Sequence, residues 1–312
     1  MKKNMINSVH IEGMLYSHSL EAKVTGDTSK NPGTPYISGT IDIVTDDACT
    51  NVVSVHYTYA TPVYGTSGKT NPNYAILSDI ISGKVKNITE HGIENAQRLR
   101  VDSNIGLNEF YSDRNGEDEL VSVKRNEGGF IHLVTKIDTD EKKRNMFKTD
   151  MVITGVTHVD ADEERNLPEK VTVRGCIFDF RNAILPVEFS ATSQGAMNYF
   201  EGLGVSNKNP VFTCVWGKEV ATTITRTITE ESAFGEPLVR EVNSTRRDFV
   251  ITGAASEPYE WDDETTITAA ELTKAMTDRQ TYLAAMKQRQ DEYKSSQNKS
   301  ATEAPKAGGF NF

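Results

Sequence analysis

Hydrophobic and polar positions alternate in short runs along most of the chain, from residue 9 to residue 256. The runs are rich in β-branched and aromatic residues and are separated by Gly, Asn, Asp and Pro, a pattern typical of β-strands joined by turns. They comprise Ile37–Val44, Val52–Tyr59, Leu120–Val123, Phe130–Thr135, Met151–Val159, Val171–Phe180, Leu185–Phe189, Val211–Val215, Thr222–Ile228 and Phe249–Thr252. The pattern predicts a mainly β protein.

Two segments with helical spacing interrupt this β pattern at matching places. Tyr74–Ser82 and Gln194–Leu203 are both short, and each follows the third predicted strand of its half of the chain. Glycines within the strands also recur at matching places, namely Gly13, Gly39, Gly155 and Gly175. The order strand, strand, strand, helix, strand, strand therefore occurs twice, which predicts an internal duplication.

This order of elements is that of the five-stranded oligonucleotide/oligosaccharide-binding (OB) barrel. A glycine in the first or second strand fits a strand that bends sharply around a small barrel. The alternative is that these glycines mark bulges in another kind of β-sandwich. We predict two tandem OB-like five-stranded barrels, each with one short helix, in residues 1–138 and 147–262. The charged segment Asp138–Arg144 falls at the predicted linker, residues 139–146.

A helix is predicted beyond the second barrel. Thr268 and Glu271 have the spacing of a capping box. Apolar residues then recur at about 3.5-residue spacing, in a seam that Arg279 and Gln290 interrupt. The seam residues are Leu272, Met276, Leu283, Met286 and Tyr293. We predict a C-terminal helix within residues 263–294.

Composition limits the classes of function. Of the 312 residues, 34 are Lys or Arg and 44 are Asp or Glu, so the net charge is −10, which excludes binding of nucleic acid through bulk basic charge. Local charge distribution still decides whether a groove attracts a polyanion. No apolar run approaches the roughly 18 residues that span a bilayer, and no export signal is evident. Cys49, Cys176 and Cys214 are too far apart for a metal-binding pair. We expect a cytoplasmic protein without a membrane partner.

The chain contains no complete local motif for catalysis or for a cofactor. Residues 63–70 imitate a phosphate-binding loop, but Val63 occupies the position of its first glycine. The histidines include no pair with metal-ligand spacing, and no serine lies in a nucleophile elbow. We expect no enzymatic activity, no metal and no cofactor, although a triad assembled from distant residues remains open.

Aromatic and basic residues share one face of the predicted strands in the second half. The set comprises Arg174, Phe178, Phe180, Arg181, Trp216, Lys218 and Arg226. Aromatic rings stack on nucleobases with about 1–3 kcal/mol per base, and the cations pair with phosphates. This combination predicts binding of a single strand without sequence preference. The alternative is that Phe178, Phe180 and Trp216 pack under a loop, the helix or the partner domain.

A comparable set occurs in the first half of the chain. It comprises Tyr57, Tyr59, Arg98, Arg100, Lys124 and Arg125, with Tyr36 and Tyr64 flanking it. Tyr57 and Tyr59 share one side of their strand, where they either stack on bases or continue the core. We include both sets as candidate DNA-binding residues.

The chain resembles phage-type single-stranded-DNA-binding proteins with tandem OB folds, in the broad style of replication protein A. The resemblance covers residues 9–256 and is carried by strand order and by the segments Ile37–Ile43 and Val173–Phe180. It implies a non-enzymatic, sequence-tolerant binder of single-stranded DNA that protects replication or recombination intermediates. Alternatives are a phage virion structural or assembly protein and a carbohydrate- or protein-binding β module.

The end of the chain has a second resemblance, to bacterial single-stranded-DNA-binding proteins. Residues 295–312 are polar, lack apolar periodicity and predict a disordered tail, which ends in Phe310 and Phe312. In the bacterial proteins a terminal Phe recruits replication partners. The resemblance therefore implies that Phe310 and Phe312 contact replication or recombination proteins.

Overall fold

The computed structural model describes residues 5–114, 117–164, 167–206, 208–231, 234–261 and 267–302. The strands of the first half are β1 (Asn7–His18), β2 (Glu21–Val24), β3 (Pro35–Val44), β4 (Val52–Ala60), β5 (Val63–Tyr64), β6 (Lys69–Thr70), β7 (Arg98–Arg114) and β8 (Glu117–Val134). Those of the second half are β9 (Asn145–Val159), β10 (Lys170–Phe178), β11 (Ile184–Ala191), β12 (Val211–Glu230) and β13 (Leu238–Ala254). The α-helices are α1 (Pro72–Ile81), α2 (Ile88–His91), α3 (Gln194–Gly202) and α4 (Ala269–Thr302).

Each half forms a five-stranded ring with the pairing order of an OB fold. In unit 1, β1 pairs with β3 and β7, β3 pairs with β4, and β8 lies between β7 and β4. In unit 2, β9 pairs with β10 and β12, β10 pairs with β11, and β13 lies between β12 and β11. Helices α1 and α3 lie between the third and fourth strand of their rings. The prediction of a mainly β protein with two OB-like units is confirmed.

The rings are partly open barrels, because one side of each is joined by very little pairing. In unit 1 the parallel pairing of β4 with β8 consists of Val55 with Asn126 and His56 with Glu127. In unit 2 the parallel pairing of β11 with β13 consists of Ser190 with Val250. We call these two places the seams. The prediction of closed five-stranded barrels is therefore wrong in this respect. Both barrels are partly open, which is common in OB folds.

Gly39 and Gly175 lie where another backbone segment passes too closely for a side chain. At Gly39 in β3, φ is +131° and an added Cβ would lie 2.3 Å from the Ser19 carbonyl oxygen. At Gly175 in β10, an added Cβ would lie 2.1 Å from the carbonyl oxygen of Val152. The strand register shifts beside both glycines, so bending and bulging occur together.

The two units share one sheet of eleven strands. Asn7–Ile11 of β1 pairs antiparallel with Asn145–Thr149 of β9. The segment predicted as a linker contains a short 3-10 helix at Glu141–Lys143 and the buried Arg144. The Nη1 of Arg144 lies 2.6 Å from Oδ1 of Asp47 in unit 1. The segment is thus packed against unit 1, and the proposed domain boundaries remain a prediction.

Helix α4 begins as predicted. Glu271 accepts a hydrogen bond from the Thr268 backbone N–H (2.9 Å), and Thr268 Oγ1 accepts one from the Glu271 N–H (3.2 Å), which forms the capping box. The helix extends to Thr302, so residues 295–302 are helical rather than part of a disordered tail. In the described part of the chain, no helix has the length and apolar character needed to cross a membrane.

The prediction that an apolar stripe of α4 forms its contact surface is wrong in part. Arg279 and Gln290, which interrupt the apolar spacing in the sequence, contact the β7–β8 hairpin, whereas Met276 and Tyr293 are exposed. The helix packs on a hairpin with acidic side chains, so its contact stripe contains polar residues that hydrophobic periodicity does not identify.

Candidate nucleic-acid interface

Both barrels extend into long β-hairpins that form the walls of two clefts. We call residues 105–126 of the β7–β8 hairpin arm 1, and residues 218–250 of the β12–β13 hairpin arm 2. Arm 1 belongs to unit 1 and arm 2 to unit 2. In OB folds, the face of the second and third strands and the loop between the fourth and fifth strands form the ligand groove. Both clefts lie at this place.

Groove 1 lies between the outer face of β3 and β4 and the bases of the two arms. Its volume is about 700 Å³. It is lined by Thr40, Asp42, Ser54, His56, Asn108, Ser122, Val123, Lys124, Arg125, Glu219, Thr245, Arg247 and Phe249. Because Glu219, Thr245, Arg247 and Phe249 come from arm 2, unit 2 completes the groove of unit 1.

Groove 2 is the equivalent cleft on unit 2, between the outer face of β10 and β11, the β9–β10 loop and arm 2. Its volume is about 820 Å³. It is lined by Lys124, Val159, Asp160, Asp162, Leu167, Pro168, Lys170, Thr172, Glu188, Phe189, Ser190, Thr192, Lys218, Val220, Thr222, Arg246, Asp248 and Val250. Lys124 lines both grooves, so the two adjoin at this side chain.

Charge in the grooves is mixed rather than strongly basic. The cationic lining residues are Lys124, Arg125, Lys170, Lys218, Arg246 and Arg247. The acidic ones are Asp42, Asp160, Asp162, Glu188, Glu219 and Asp248. In groove 2, Asp248 lies 2.9 Å from Arg246 and 3.7 Å from Lys170. A polyanion would therefore have to replace existing ion pairs. These pairs are partly exposed, so breaking them costs little free energy.

A pair of tyrosines lies on the sheet face that forms groove 1. The ring centroids of Tyr36 and Tyr59 are 4.8 Å apart, and Tyr59 is 50% exposed. The Arg125 side chain reaches this face, where it donates a hydrogen bond to Thr58 (3.4 Å) and lies 2.7 Å from Glu127. Arg125 therefore lies beside the strand that carries Tyr59, and a role of both residues in binding stays a prediction.

Two predicted stacking residues are buried instead. Tyr57 points into barrel 1, where burial raises the pKa of its hydroxyl. Phe178 is fully buried, and its ring centroid lies 6.3 Å from that of Phe212. Tyr259 and Trp261, which follow β13, pack on Phe212 and cover this side of unit 2. The prediction that Tyr57 and Phe178 stack on bases is wrong, because neither ring is accessible.

Arg98 and Arg100 lie apart from Lys124 and Arg125. They project from the outer face of β7, opposite Met14 and Glu12 of β1 respectively. Arg100 Nε lies 3.5 Å from Oδ2 of Asp102. Neither arginine lines a groove, so strand alternation identified exposed cations but not their location on the barrel.

The other predicted residues of unit 2 are dispersed. Arg174 lies on the outer face of β10, where it donates a hydrogen bond to Thr157 Oγ1 (2.6 Å). Phe180 is 79% exposed in the β10–β11 turn, and the Arg181 guanidinium carbon lies 4.9 Å from its ring centroid. These two residues face a smaller cleft beside α4.

Trp216 and Lys218 are exposed on β12. Trp216 lies over Gly253 and opposite Lys148 of β9, while Lys218 lines groove 2. Arg226 belongs to β12, but its side chain lies outside the described part of the structure, and Phe310 and Phe312 lie outside the described residues.

The residues that sequence reasoning missed lie at the junction of the two units. Glu219 of arm 2 is buried, and its Oε2 accepts a hydrogen bond of 2.6 Å from Nδ2 of Asn126 at the seam of unit 1. Nδ2 of Asn145 donates to the Glu219 carbonyl oxygen (2.6 Å), and Nδ2 of Asn51 donates to the same atom (3.1 Å). Burial raises the pKa of the Glu219 carboxyl to about 7. The only signal in the sequence is that Glu219 occupies an inward position of its strand.

Lys124 makes the reciprocal contact from unit 1 to unit 2. Its Nζ lies 5.2 Å from the ring centroid of Phe189 and 5.5 Å from that of Phe249, beside the seam of unit 2, and donates a hydrogen bond to the Glu188 carbonyl oxygen. Burial lowers the pKa of its ammonium group to about 8. Each unit therefore places one ionisable side chain against the open seam of the other.

Two OB-like units with adjoining grooves define a tandem OB-fold protein. The chain belongs to the YorF family, whose model matches residues 5–290. No curated protein matches the chain. Among solved structures, a deletion mutant of the single-stranded DNA binding protein from Thermus aquaticus is similar, with 10% sequence identity, a TM-score of 0.46, and coverage of 84% of this chain and 98% of that one. Within the described residues, no group of three or more His, Cys, Asp or Glu side chains is arranged to hold a metal ion.

Proposed function

We propose that this protein is a non-enzymatic, sequence-tolerant binder of single-stranded DNA. One strand would run from groove 1 to groove 2 and pass Lys124 where they adjoin. The observation that carries the proposal is the placement of two grooves at the ligand-binding position of the OB fold, on neighbouring units and with a shared lining residue.

The described side chains supply both kinds of contact that such a strand needs. Tyr59, with Tyr36 against it, offers a stacking plane next to groove 1. Arg125 and Arg247 in groove 1, and Lys218 in groove 2, supply charge for phosphates. Stacking and phosphate contacts do not read base edges, so binding tolerates any sequence. The mixed charge of the grooves fits moderate affinity rather than tight electrostatic binding.

The wider role is part of the same proposal. A sequence-tolerant binder protects single-stranded replication or recombination intermediates of a phage-like genome in the cytoplasm. Phe310 and Phe312, at the end of the chain, are proposed to recruit replication or recombination proteins. Trp216, Arg98, Arg100, Arg174, Phe180, Arg181 and Arg226 remain proposed secondary contacts.

The deciding experiment is a fluorescence titration of the full chain with oligo-dT at low and moderate salt. We expect saturable binding whose affinity falls as salt rises, because phosphate contacts release counterions. An absence of binding at low salt would contradict the proposal and favour a virion structural role. Binding of glycans instead of oligo-dT would favour a carbohydrate-binding module.

A further inference from the structure

Arm 2 projects from unit 2 as a two-stranded ribbon. Its strands pair continuously from Thr222 with Arg246 to Glu230 with Leu238. The pairing of β12 with β9 ends at Gly217, and that of β13 with β11 is limited to Val250. Among the described strands, the outer part of arm 2 therefore has no neighbour beyond its own partner strand.

The ribbon carries an exposed apolar face. Directly paired residues of antiparallel strands lie on the same face, and side chains alternate along each strand. Ile228, which pairs with Arg240, therefore shares a face with Leu238, which pairs with Glu230. Val242 lies two residues from Arg240 on that same face. Ile228, Leu238 and Val242 are exposed, and Leu238 is 62% exposed.

In unit 1, helix α4 covers the surface of arm 1 that corresponds to this apolar face of arm 2. Helix α4 packs on arm 1, where Arg279 pairs with Glu109 and both Lys287 and Lys294 pair with Asp118. Counted from the seam of each barrel, the position of Asp118 in arm 1 corresponds to Val242 in arm 2. A basic helix such as α4 does not complement this site. The surface that complements it is apolar and balanced in charge.

The apolar face of arm 2 itself has that character. Besides its apolar residues it carries Glu230 and Arg240, whose side chains lie 2.9 Å apart. When two identical faces meet across a two-fold axis, each residue of one copy contacts its counterpart set on the other. Glu230 of one copy can then face Arg240 of the second copy, and Ile228 of one copy can face Leu238 of the other.

We propose that this face, formed by Ile228, Leu238, Val242, Glu230 and Arg240, is a self-association surface that binds the same face of a second copy of the chain. The ribbon is about 26 Å long at roughly 3.3 Å per residue, and a contact of this size lies at the weak, transient end of protein interfaces. Self-association is therefore concentration dependent. If the proposed DNA binding holds, two copies on one strand have a high effective concentration, so the contact makes binding cooperative.

The test is sedimentation velocity of the full chain without DNA, at concentrations from about 1 to about 200 µM. We expect the dimer fraction to rise with concentration. Leu238→Glu should abolish this rise, whereas the matched control Thr227→Glu, on the opposite face of arm 2, should leave it unchanged. Thermal unfolding of both variants checks that the barrels remain folded.

A charge exchange makes the test specific for the two-fold contact. Glu230→Arg and Arg240→Glu should each reduce association at least about threefold, and the double variant should restore it. A chain that stays monomeric throughout, or an unchanged Leu238→Glu variant, overturns the proposal. Dimers without oligo-dT binding would leave this proposal standing and refute the proposed function alone.

Discussion

Glu219 illustrates how a single buried group links the two units. Its carboxyl accepts the Asn126 side-chain hydrogen bond at the unit 1 seam, while its backbone is held by Asn145 and Asn51. Arg247 and Lys124 are the nearby positive charges, and their attraction for the carboxylate is outweighed by burial, which raises the pKa to about 7. The protonated form is therefore the one that the junction favours.

We expect Glu219→Gln to remove a pH dependence of stability. The raised pKa means that the folded state binds a proton that the unfolded state loses above about pH 4.5, so the contribution of Glu219 to the wild-type free energy of unfolding falls as pH rises from about 4.5 to about 7. Gln keeps an acceptor for Asn126 and has no charge. The variant should match wild type near pH 5 and exceed it by up to about 3 kcal/mol at pH 8, as measured by urea unfolding.

The comparison between the two proteins isolates Glu219, because all other titrating groups are common to both. An identical difference in the free energy of unfolding at pH 5 and pH 8 would show that the carboxyl does not titrate in this range.

Tyr59 provides the residue-level test of the candidate interface. We expect Tyr59→Ala to weaken oligo-dT binding by about 1–3 kcal/mol, because it removes a stacking plane. Tyr64→Ala is the matched control, since Tyr64 is also exposed but lies on the small β5–β6 hairpin, apart from strands β3 and β4 that carry Tyr36 and Tyr59. Equal affinities of wild type and Tyr59→Ala in fluorescence titration would remove this face of β3 and β4 from the binding path.

At the scale of elements, α4 is held on arm 1 mainly by charge and hydrogen bonds. Asp118 pairs with Lys287 and Lys294, and the Gln290 side chain donates a hydrogen bond of 3.0 Å to the Tyr111 carbonyl oxygen. The hydrogen bond from Lys294, followed by that from Lys287, lowers the pKa of the Asp118 carboxyl. Such partly exposed contacts are weakened by salt, whereas buried apolar contacts are not.

Docking of the C-terminal half of α4 should therefore depend on salt. We expect hydrogen exchange in residues 283–302 to accelerate when salt rises from about 0.05 M to about 1 M, with little change in the barrel strands. Asp118→Asn should produce the same acceleration at low salt. Glu119→Gln, at the neighbouring position on the opposite face of arm 1, is the control. Exchange that is independent of both salt and Asp118 would mean that apolar packing holds the helix.

At the scale of the whole molecule, the two grooves act as one path only if a strand occupies both. An OB groove takes about 4–16 nucleotides, so affinity for oligo-dT should rise in two stages with length. For long oligonucleotides, Arg125→Gln in groove 1 and Lys218→Gln in groove 2 should each make the negative slope of log K against log salt less steep by about 0.7. Lys84→Gln, which alters a cation paired with Asp79 at the end of α1, should not.

A change in slope for only one of the two groove variants would confine the strand to a single unit. Loss of the second stage with length, with both slopes altered, would instead indicate that separate strands occupy the two grooves.

Much of the fold follows from the sequence, because local periodicity and glycine placement act over short distances. Alternation identified the strands of the two rings but not β2, β5 and β6. The two short helices divided the ring strands into equivalent sets, and Gly39 and Gly175 marked the bends. The capping box at Thr268 likewise fixed the start of α4. Each of these features depends on neighbouring residues and on backbone conformation, which sequence pattern expresses directly.

The candidate site was predicted less well, because it depends on what covers each face. Alternation correctly grouped Phe178 with Cys176, yet Tyr259 and Trp261, which are distant in the chain, pack in the same cluster and cover this side of the strand. The same limit applies to α4, where an acidic hairpin makes Arg279 a contact residue. Neither the periodicity nor the composition of a segment shows which distant segment packs on it.

The sequence by itself therefore determined the mainly β character, the duplicated strand order and the close-approach glycines, since each arises from local steric and hydrophobic constraints. Only the tertiary structure decided that Glu219 and Lys124 each reach across the junction to the seam of the other unit, and that the grooves adjoin. Those properties result from pairing between β1 and β9 and from side chains separated by many residues, and only the folded chain brings them within bonding distance.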